Sequence, residues 1–239
     1  MKQSVLTDEI IIADDGSTNE TKILIESYKK KFKNKLKHIW QKDDGFQKTI
    51  ILNKAILLAK GDYIIQIDGD IILHKHFIKD HIKNAQTNTF IHGSRVFLNR
   101  QTTQTAIKQL FFKFSFYNNG ISNRLNGIRS TFLSKIISRK NKKLKGTRGC
   151  NFSFWKQDFM KVNGYNEDMK GWGKEDTELS VRLMNIGSKK NQLKYLAICY
   201  HLDHKLSKRK GLNINNTILA NTISENKIFC KNGINKHVN

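Results

Sequence analysis

Short apolar runs alternate with helical patterns along the first part of the chain. Strands are predicted over Glu9–Ala13 and over residues 62–67, because each run is apolar and is bounded by polar residues or glycine. Between them lie a helical pattern over residues 20–34, a short strand over Leu36–Gln41 and a helix over Asn53–Ala59. This alternation predicts a doubly wound α/β fold with a mostly parallel, Rossmann-like sheet flanked by helices.

The middle of the chain continues with a helix over Phe77–Asn84 and a strand over Phe90–Leu98. Apolar residues then recur at helical spacing from Ile107 to Tyr117 with lysines between them, and a second basic amphipathic piece follows over residues 128–138. Such a segment either lies on a membrane interface or packs on the core, and the pattern leaves both readings open.

The last part of the chain predicts a loop, a strand and two helices. The loop over residues 146–151 leads into an apolar strand, a helix runs from Glu175 to Gly187, and another covers residues 213–230. We expect one continuous domain in which the last part of the chain, residues 213–239, adds a C-terminal helix.

The composition suits a globular intracellular protein. The 239 residues are 38% hydrophobic, and no apolar run approaches the ~20 residues that span a bilayer. The three cysteines form no CxxC pair, so a reducing cytoplasm is the natural setting and we interpret them as ordinary buried thiols.

The chain carries 43 Lys and Arg against 20 Asp and Glu, a net charge of +23. This excess indicates a polyanionic partner, namely nucleic acid, an anionic membrane surface or a phosphate-bearing substrate. A compositional bias that only decorates solvated faces is the alternative. No helix-turn-helix, zinc finger or RNA-binding sheet motif is present, so we expect no nucleic acid partner.

Asp68-Gly69-Asp70 comes directly after the apolar run Tyr63–Ile67. Ligands of open α/β sheets bind at the carboxyl ends of the strands, and carboxylate oxygens suit a hard cation such as Mg²⁺ or Mn²⁺. The motif therefore indicates a metal site, with a surface turn as the alternative reading.

Two more carboxylate pairs lie at element termini. Asp14-Asp15 ends the first predicted strand, and Glu175-Asp176 opens a helix whose dipole favours the ionised form. An ordinary N-cap would explain the second pair by itself. The preceding Gly171-Trp172-Gly173 adds a tight backbone and a flat aromatic face on which a sugar ring can stack.

Four blocks occur in the order IIIADDGS, YIIQIDGD, GCNFSFWK and GWGKEDTEL. In that order they resemble a family 2 glycosyltransferase of the GT-A fold. The Gly-Trp-Gly-x-Glu-Asp block is similar to the acceptor-side motif of the β1,4-galactosyltransferase and chondroitin-polymerase type enzymes. The resemblance covers nearly the whole chain, from about residue 3 to about residue 235. It implies that residues 1–100 bind a nucleotide-sugar and that residues 101–212 bind the acceptor and carry catalysis.

The resemblance implies how the donor and the metal bind. Asp14 or Asp15 would hold the uridine or ribose of a nucleotide-sugar, and Asp68 would contact the ribose or the metal. Asp70 would be the principal ligand of Mn²⁺ or Mg²⁺, which bridges both phosphates. Because these enzymes often add a late histidine as a third ligand, we expect His201 in that role.

The resemblance also implies the acceptor side. Asp176 would be the general base that takes the proton of the acceptor hydroxyl, and Glu175 would bind the acceptor and assist. We expect acceptor binding at Trp172, Gly171, Gly173 and Asn151. The reaction would invert the anomeric configuration.

Asp44 and Lys48 occupy the place where the family contacts the nucleotide. A donor-binding role for both is expected, with a plain turn as the alternative.

The chain also resembles a family member that lacks its first βα unit, so a fold truncated at the N-terminus is expected. The main hypothesis is a metal-dependent transferase in surface polysaccharide or lipopolysaccharide biosynthesis, which uses a UDP-sugar and a glycan or lipid-linked acceptor. We expect it to be cytoplasmic, with a peripheral position on the inner membrane face left open. The alternative is a truncated, weakly active or inactive relative that acts as a membrane- or partner-binding module.

Overall fold

The computed structural model of the chain describes residues 3–33, 35–110, 113–141, 143–205 and 211–238. The strands within these ranges are β1 (Ile10–Asp14), β2 (Leu36–Trp40), β3 (Tyr63–Gln66), β4 (Ile71–Leu73), β5 (Thr89–His92), β6 (Ser94–Leu98), β7 (Ile121–Ser122), β8 (Arg139–Asn141), β9 (Phe152–Trp155), β10 (Lys189–Gln192) and β11 (Ile198–His201). The α-helices are α1 (Asn19–Lys29), α2 (Lys48–Leu58), α3 (Phe77–Asn84), α4 (Arg100–Gln109), α5 (Thr131–Ile137), α6 (Lys156–Lys161), α7 (Glu175–Asn185) and α8 (Leu212–Ser224).

The described strands form a two-stranded sheet β1-β2, a five-stranded sheet β3-β9-β5-β10-β8 and a four-stranded sheet β4-β11-β6-β7. The α/β class predicted from the alternation of strands and helices is confirmed. The sheets are mixed rather than mostly parallel: β1–β2, β5–β10 and β6–β11 pair in parallel, whereas β4–β11, β5–β9, β6–β7 and β8–β10 are antiparallel. The short strands β4, β7 and β8 supply three of the antiparallel partners.

The chain divides into two compact units, each made of segments distant in sequence. The first unit comprises Met1–Leu6, Ile65–Phe154 and Ser188–Leu206; the second comprises Thr7–Ile64, Trp155–Gly187 and Ser207–Asn239. The division predicted at residues 100 and 212 assigns the binding of different ligands to different parts of the chain, and it stays a prediction.

The first unit buries side chains from the four-stranded sheet. Alternate residues of β6 and β11 point into one cluster, as expected for strands with period two. Its buried members are Val96, Leu98, Ile121, Ile198 and Tyr200. This packing fixes β11 beside β6 and therefore fixes the position of His201 at the end of β11.

The second unit holds α7 in a buried position. Leu179 and Leu183 are almost completely buried, as their i, i+4 spacing predicts. The same helix buries Glu178 and Arg182, which form a two-contact ion pair of 2.6 and 2.8 Å. Thr222 of α8 donates to Glu178 at 3.1 Å. Because a buried charge is costly without partners, this network holds α7 in one orientation.

The strand predicted over Phe90–Leu98 is two strands in different sheets. β5 ends at His92 and β6 begins at Ser94, with Gly93 between them. A Cβ atom at Gly93 would lie 2.4 Å from the Asn151 side-chain oxygen and 2.7 Å from the Ala197 carbonyl oxygen. The glycine is therefore required because the break is crowded, which an apolar run does not reveal.

The helix predicted from Ile107 to Tyr117 is displaced toward the N-terminus. α4 begins after Asn99, whose side chain accepts a hydrogen bond from the Thr102 N–H at 2.9 Å. The helix ends where Leu110 takes the left-handed conformation, and part of the predicted span, residues 111 and 112, lies outside the described residues. The apolar spacing predicts the helix correctly up to residue 109, but it does not include Asn99, the N-cap at which the helix begins.

The three cysteines are free and buried, as the sequence predicts. In the described part of the chain, no helix has the length and apolar character needed to cross a membrane.

Candidate active site

Asp70 and His201 meet because of strand pairing. β4 begins directly after Asp70, and β11, which ends at His201, pairs with it in antiparallel register with His201 opposite Ile71. The Leu202 N–H donates to the Asp70 carbonyl at 2.9 Å and extends this pairing by one step. Two segments far apart in sequence are thus joined at one sheet edge.

The Asp70 carboxylate lies between two imidazoles. Its Oδ2 is 3.2 Å from His201 Nε2 and 2.7 Å from His204 Nε2. The candidate ligand atoms of the three residues lie within 4.8 Å of one another. Asp70 Oδ1 is buried and has no hydrogen-bond partner among the described residues. One carboxylate and two imidazoles around an unsatisfied oxygen fit a divalent cation.

Burial of His201 lowers the pKa of its imidazole, and the positive charge of Arg95 acts in the same direction. The pKa of His204 is raised, first by its hydrogen bond with the Lys205 carbonyl and further by Asp70. A buried, neutral imidazole is the form in which histidine binds a metal.

The structure adds His204 to the predicted cluster, while Asp68 does not join it among the described residues. The sequence carries a signal for His204, because it lies only three residues after His201. The metal role predicted for Asp70, Asp68 and His201 stays a prediction.

Asp14 and Asp15, in the second unit, both accept hydrogen bonds within the protein. Asp14 accepts from the Ser17 N–H at 2.8 Å and lies 2.8 Å from His38 Nε2. Burial alone would raise the pKa of Asp14, but these two partners lower it below its usual range. Asp15 accepts from the Gln41 side chain and from the Gln47 N–H, at 2.6 and 2.7 Å.

Both carboxylates therefore shape the loops that follow β1 and β2. Asp44 is exposed and accepts from the Gln47 side chain at 2.6 Å. The donor-binding roles predicted for Asp14, Asp15 and Asp44 stay predictions.

Glu175 and Asp176 begin α7 directly after a segment with three positive φ angles. Gly171 and Gly173 have φ values of +74° and +112°, and Lys174 has +76°. The Gly173 N–H donates to Glu175 at 3.0 Å. Trp172, between the glycines, is 38% exposed, so its ring remains accessible to a sugar.

Burial, and after it the neighbouring charge of Asp176, raise the pKa of Glu175 to about 7, although the positive charge of Lys48 opposes this shift. Lys48 Nζ lies 3.6 Å from Glu175 Oε1. The structure thus places Lys48 beside the acidic pair, a contact that its predicted donor role did not include. An acid with a pKa near neutrality is suited to proton transfer.

Asp176 is oriented by a buried tyrosine that the sequence reading missed. The Tyr165 hydroxyl donates to Asp176 Oδ1 at 2.9 Å. Asn53 of α2 fixes Tyr165 in turn, because its side-chain amide bonds both the N–H and the carbonyl of Tyr165 at 2.8 and 2.9 Å. No short-range motif links these three residues, which explains why the pattern did not reveal them.

Asn151, in the first unit, is 1% exposed and its amide is fully used. It donates to the carbonyls of Ser94 and Ala197 at 3.0 and 2.7 Å and contacts His81 Nε2 at 2.9 Å. These contacts make Asn151 a bridge within its unit. The acceptor-binding role predicted for it stays a prediction that such burial does not favour.

The fold is that of the GT-A glycosyltransferases. The chain is similar in structure to GalNAc-T7, which was solved with UDP, GalNAc and Mn²⁺. The two superpose with a TM-score of 0.57 and 14% sequence identity, and the match covers 82% of this chain and 38% of that one. The model of glycosyl transferase family 2 matches residues 1–160, and the model named N-terminal domain of galactosyltransferase matches residues 133–205. The chain therefore belongs to glycosyl transferase family 2 and is a glycosyltransferase.

Several curated proteins are similar to it. The hyaluronan synthase of Pasteurella multocida is 25% identical in an alignment of 197 positions that covers 75% of this chain and 20% of that protein. The validoxylamine A glucosyltransferase of Streptomyces hygroscopicus subsp. jinggangensis is 23% identical over 73% of this chain and 43% of its own length. The chondroitin synthase of Escherichia coli is 22% identical in an alignment that covers 75% of this chain and 28% of that protein. The chain thus spans less than half of each of these relatives.

The raised pKa of Glu175 predicts a specific dependence of stability on pH. The unfolded chain ionises this carboxyl near pH 4.5 and the folded chain near 7, so the free energy of unfolding falls as pH rises through this window. In Glu175→Gln, the free energy of unfolding should fall by up to about 3 kcal/mol less over this pH range than in the unchanged protein. The measurement is urea unfolding between pH 4.5 and 8.

Glu20→Gln is the matched control, because Glu20 also lies in the first turn of a helix of the same unit but is exposed. Its pH dependence should follow that of the unchanged protein. A decline of equal size in Glu175→Gln and the unchanged protein would contradict the prediction.

Proposed function

We propose that this glycosyltransferase depends on a divalent metal and transfers a sugar from a nucleotide-sugar, a UDP-sugar by default, to a saccharide or lipid-linked acceptor. The arrangement of Asp70, His201 and His204 supports this most directly. One Asp70 oxygen contacts both imidazoles, and the other is buried without a hydrogen-bond partner in the described part of the chain, as expected of a carboxylate that shares a cation with them. Mn²⁺ or Mg²⁺ would be held there, and when bound it would neutralise charge on the leaving diphosphate.

The acidic pair of the second unit supports the acceptor half of the proposal. Asp176 takes the proton of the acceptor hydroxyl while that oxygen bonds the anomeric carbon and the bond from this carbon to the diphosphate breaks. The product is inverted at the anomeric carbon. Tyr165 keeps the Asp176 carboxylate in one orientation, and Trp172 offers its exposed face to the acceptor ring.

The pathway we propose is surface polysaccharide or lipopolysaccharide biosynthesis. Similarity to hyaluronan and chondroitin synthases supports a polysaccharide product. A peripheral position on the inner membrane face is proposed for a separate reason. Tyr117 is 87% exposed and Phe132 is 71% exposed, within a part of the first unit that also carries exposed Lys108, Lys113 and Lys135. Exposed aromatics beside lysines suit an anionic lipid surface.

Asp70→Asn should weaken Mn²⁺ binding by about 100-fold, because it removes the only anionic member of the triad. Affinity for UDP in the presence of Mn²⁺ should fall with it. Calorimetric titration of Mn²⁺ and then of UDP measures both effects. The control is Asp62→Asn, which removes an exposed carboxylate and should change neither affinity. Undiminished Mn²⁺ binding in Asp70→Asn would sink the metal assignment.

Asp176→Asn should lower kcat by about 10²- to 10⁴-fold, the usual loss when a general base is removed, and leave UDP affinity unchanged. Tyr165→Phe should lower kcat less and keep the shape of the pH profile, because it loosens the base without removing it. The assay is UDP release from a panel of UDP-sugars with oligosaccharide acceptors. Exposed Asp8→Asn is the control. A fully active Asp176→Asn would exclude this residue as the base.

Phe132→Ser should reduce binding to phosphatidylglycerol-containing vesicles several-fold, because burial of an aromatic side chain drives interfacial binding. Ile214→Ser, a change at a 65% exposed position of α8, is the control and should have no effect. Sedimentation with vesicles at two salt concentrations measures the loss. Equal binding of both variants would argue against a membrane role for this segment.

A further inference from the structure

Asn53 holds the turn that carries Tyr165 in one position. Asn53 is completely buried, and its amide nitrogen donates to the Tyr165 carbonyl and to Glu167 Oε1, both at 2.9 Å. Its amide oxygen accepts from the Tyr165 N–H at 2.8 Å. An amide turned the other way would set its oxygen against the Tyr165 carbonyl and the Glu167 carboxylate, so these contacts select a single orientation.

His237 binds the same carboxylate. Its Nε2 atom lies 2.6 Å from Glu167 Oε1, which is also the oxygen that accepts from Asn53. The side chains of His237 and Glu167 are 19% and 6% exposed. Because an ionised carboxylate can only accept, this contact places a proton on His237 Nε2. Two donors from distant parts of the sequence thus meet at one oxygen, and the position of each depends on the other.

The segment over residues 230–237 is bound to Asn163, which begins the turn. The Asn163 side chain donates to the Cys230 carbonyl at 2.7 Å and to the Asn235 side-chain oxygen at 2.8 Å. The Asn235 N–H donates back to Asn163 Oδ1 at 2.9 Å, and the Ile234 N–H donates to the Asn163 carbonyl, also at 2.9 Å. These bonds join the segment to the turn, so the imidazole at its end keeps its place against the carboxylate.

Tyr165 transmits this arrangement to Asp176. The tyrosine is completely buried and its side chain has two rotatable bonds to the ring, so the place of its hydroxyl follows the place of its backbone. That hydroxyl donates to Asp176 Oδ1 at 2.9 Å. A misplacement of about 1 Å can cost about 10²-fold in the rate of a catalysed reaction. The contacts that fix the backbone of Tyr165 therefore bear on the orientation of Asp176.

We infer that His237 is a positioning residue for the Asp176 carboxylate. It acts through Glu167, Asn53 and Tyr165, and every contact in this chain is 2.6 to 2.9 Å long. The inference rests on the proposed function in taking Asp176 as the base, whereas the contacts hold whatever the role of that residue. Since His237 acts on the orientation of the base and on no substrate, it should influence kcat and leave KM unchanged.

His237→Ala should lower kcat roughly tenfold at unchanged KM for donor and acceptor, because Asp176 loses its fixed orientation but remains present. His237→Gln should recover most of the loss, since its amide N–H can donate to Glu167 as the imidazole does. The assay is release of UDP from a UDP-sugar by the full chain with an oligosaccharide acceptor. Lys236→Ala, at the exposed neighbouring position, is the control and should keep full activity. An unchanged kcat in His237→Ala, or an equal loss in His237→Gln, would overturn the inference.

A double-mutant cycle separates positioning from a general loss of stability. In the Tyr165→Phe background the route to Asp176 is already broken, so His237→Ala should lower kcat by less than about twofold there. The same fold-loss in both backgrounds would show that His237 acts by another path and would contradict the inference.

A second cycle needs no activity and keeps this test distinct from that of the proposed function. In urea unfolding, the loss of midpoint in the double variant should be smaller than the sum of the losses in His237→Ala and Tyr165→Phe, because both side chains belong to one network. Additive losses would contradict the chain of contacts. A fully active Asp176→Asn would exclude this residue as the base, and coupled urea midpoints would then still support the positioning of its carboxylate.

Discussion

The antiparallel pairing of β11 with β4 is the constraint on which the candidate metal centre depends. It joins Asp70 and His201, which are far apart in sequence, at one sheet edge, and the hydrogen bond from Leu202 to Asp70 continues it toward His204. Hydrophobic burial of β11 against β6 holds this pairing in register. Because a register slip of one residue would turn His201 to the opposite face, the apolar core and the ligand geometry are consequences of the same alignment.

The second unit solves a different problem, which is to keep an acidic pair at the start of a largely buried helix. The glycines before α7 allow its backbone to turn sharply, and Glu178 with Arg182 fixes the helix from within. Glu175 is buried deeply enough for its pKa to lie near neutral pH, whereas Asp176 accepts a hydrogen bond from the Tyr165 hydroxyl. Adjacent carboxyl groups in different surroundings can take different roles in proton transfer.

Periodicity and end signals were enough to predict most of the elements that carry the motifs. β1, β2, β3, α3 and α7 lie close to their predicted places because each has a clear apolar run or a glycine boundary. β10 could not be predicted, since its sequence Lys-Lys-Asn-Gln is polar and it exists through pairing with β5 and β8. The same limit applies to side-chain partners: the contact of Tyr165 with Asp176 and that of Lys48 with Glu175 depend on tertiary packing.

The carboxylates predicted at the ends of strands differ in whether their oxygens have hydrogen-bond partners within the protein. Asp14 and Asp15 accept hydrogen bonds from Ser17, Gln41 and Gln47, so both carboxylates already stabilise the fold. Asp70, by contrast, keeps a buried oxygen without a hydrogen-bond partner among the described residues. An unsatisfied buried polar atom costs free energy in a folded protein, and a cation shared with His201 and His204 would remove this cost.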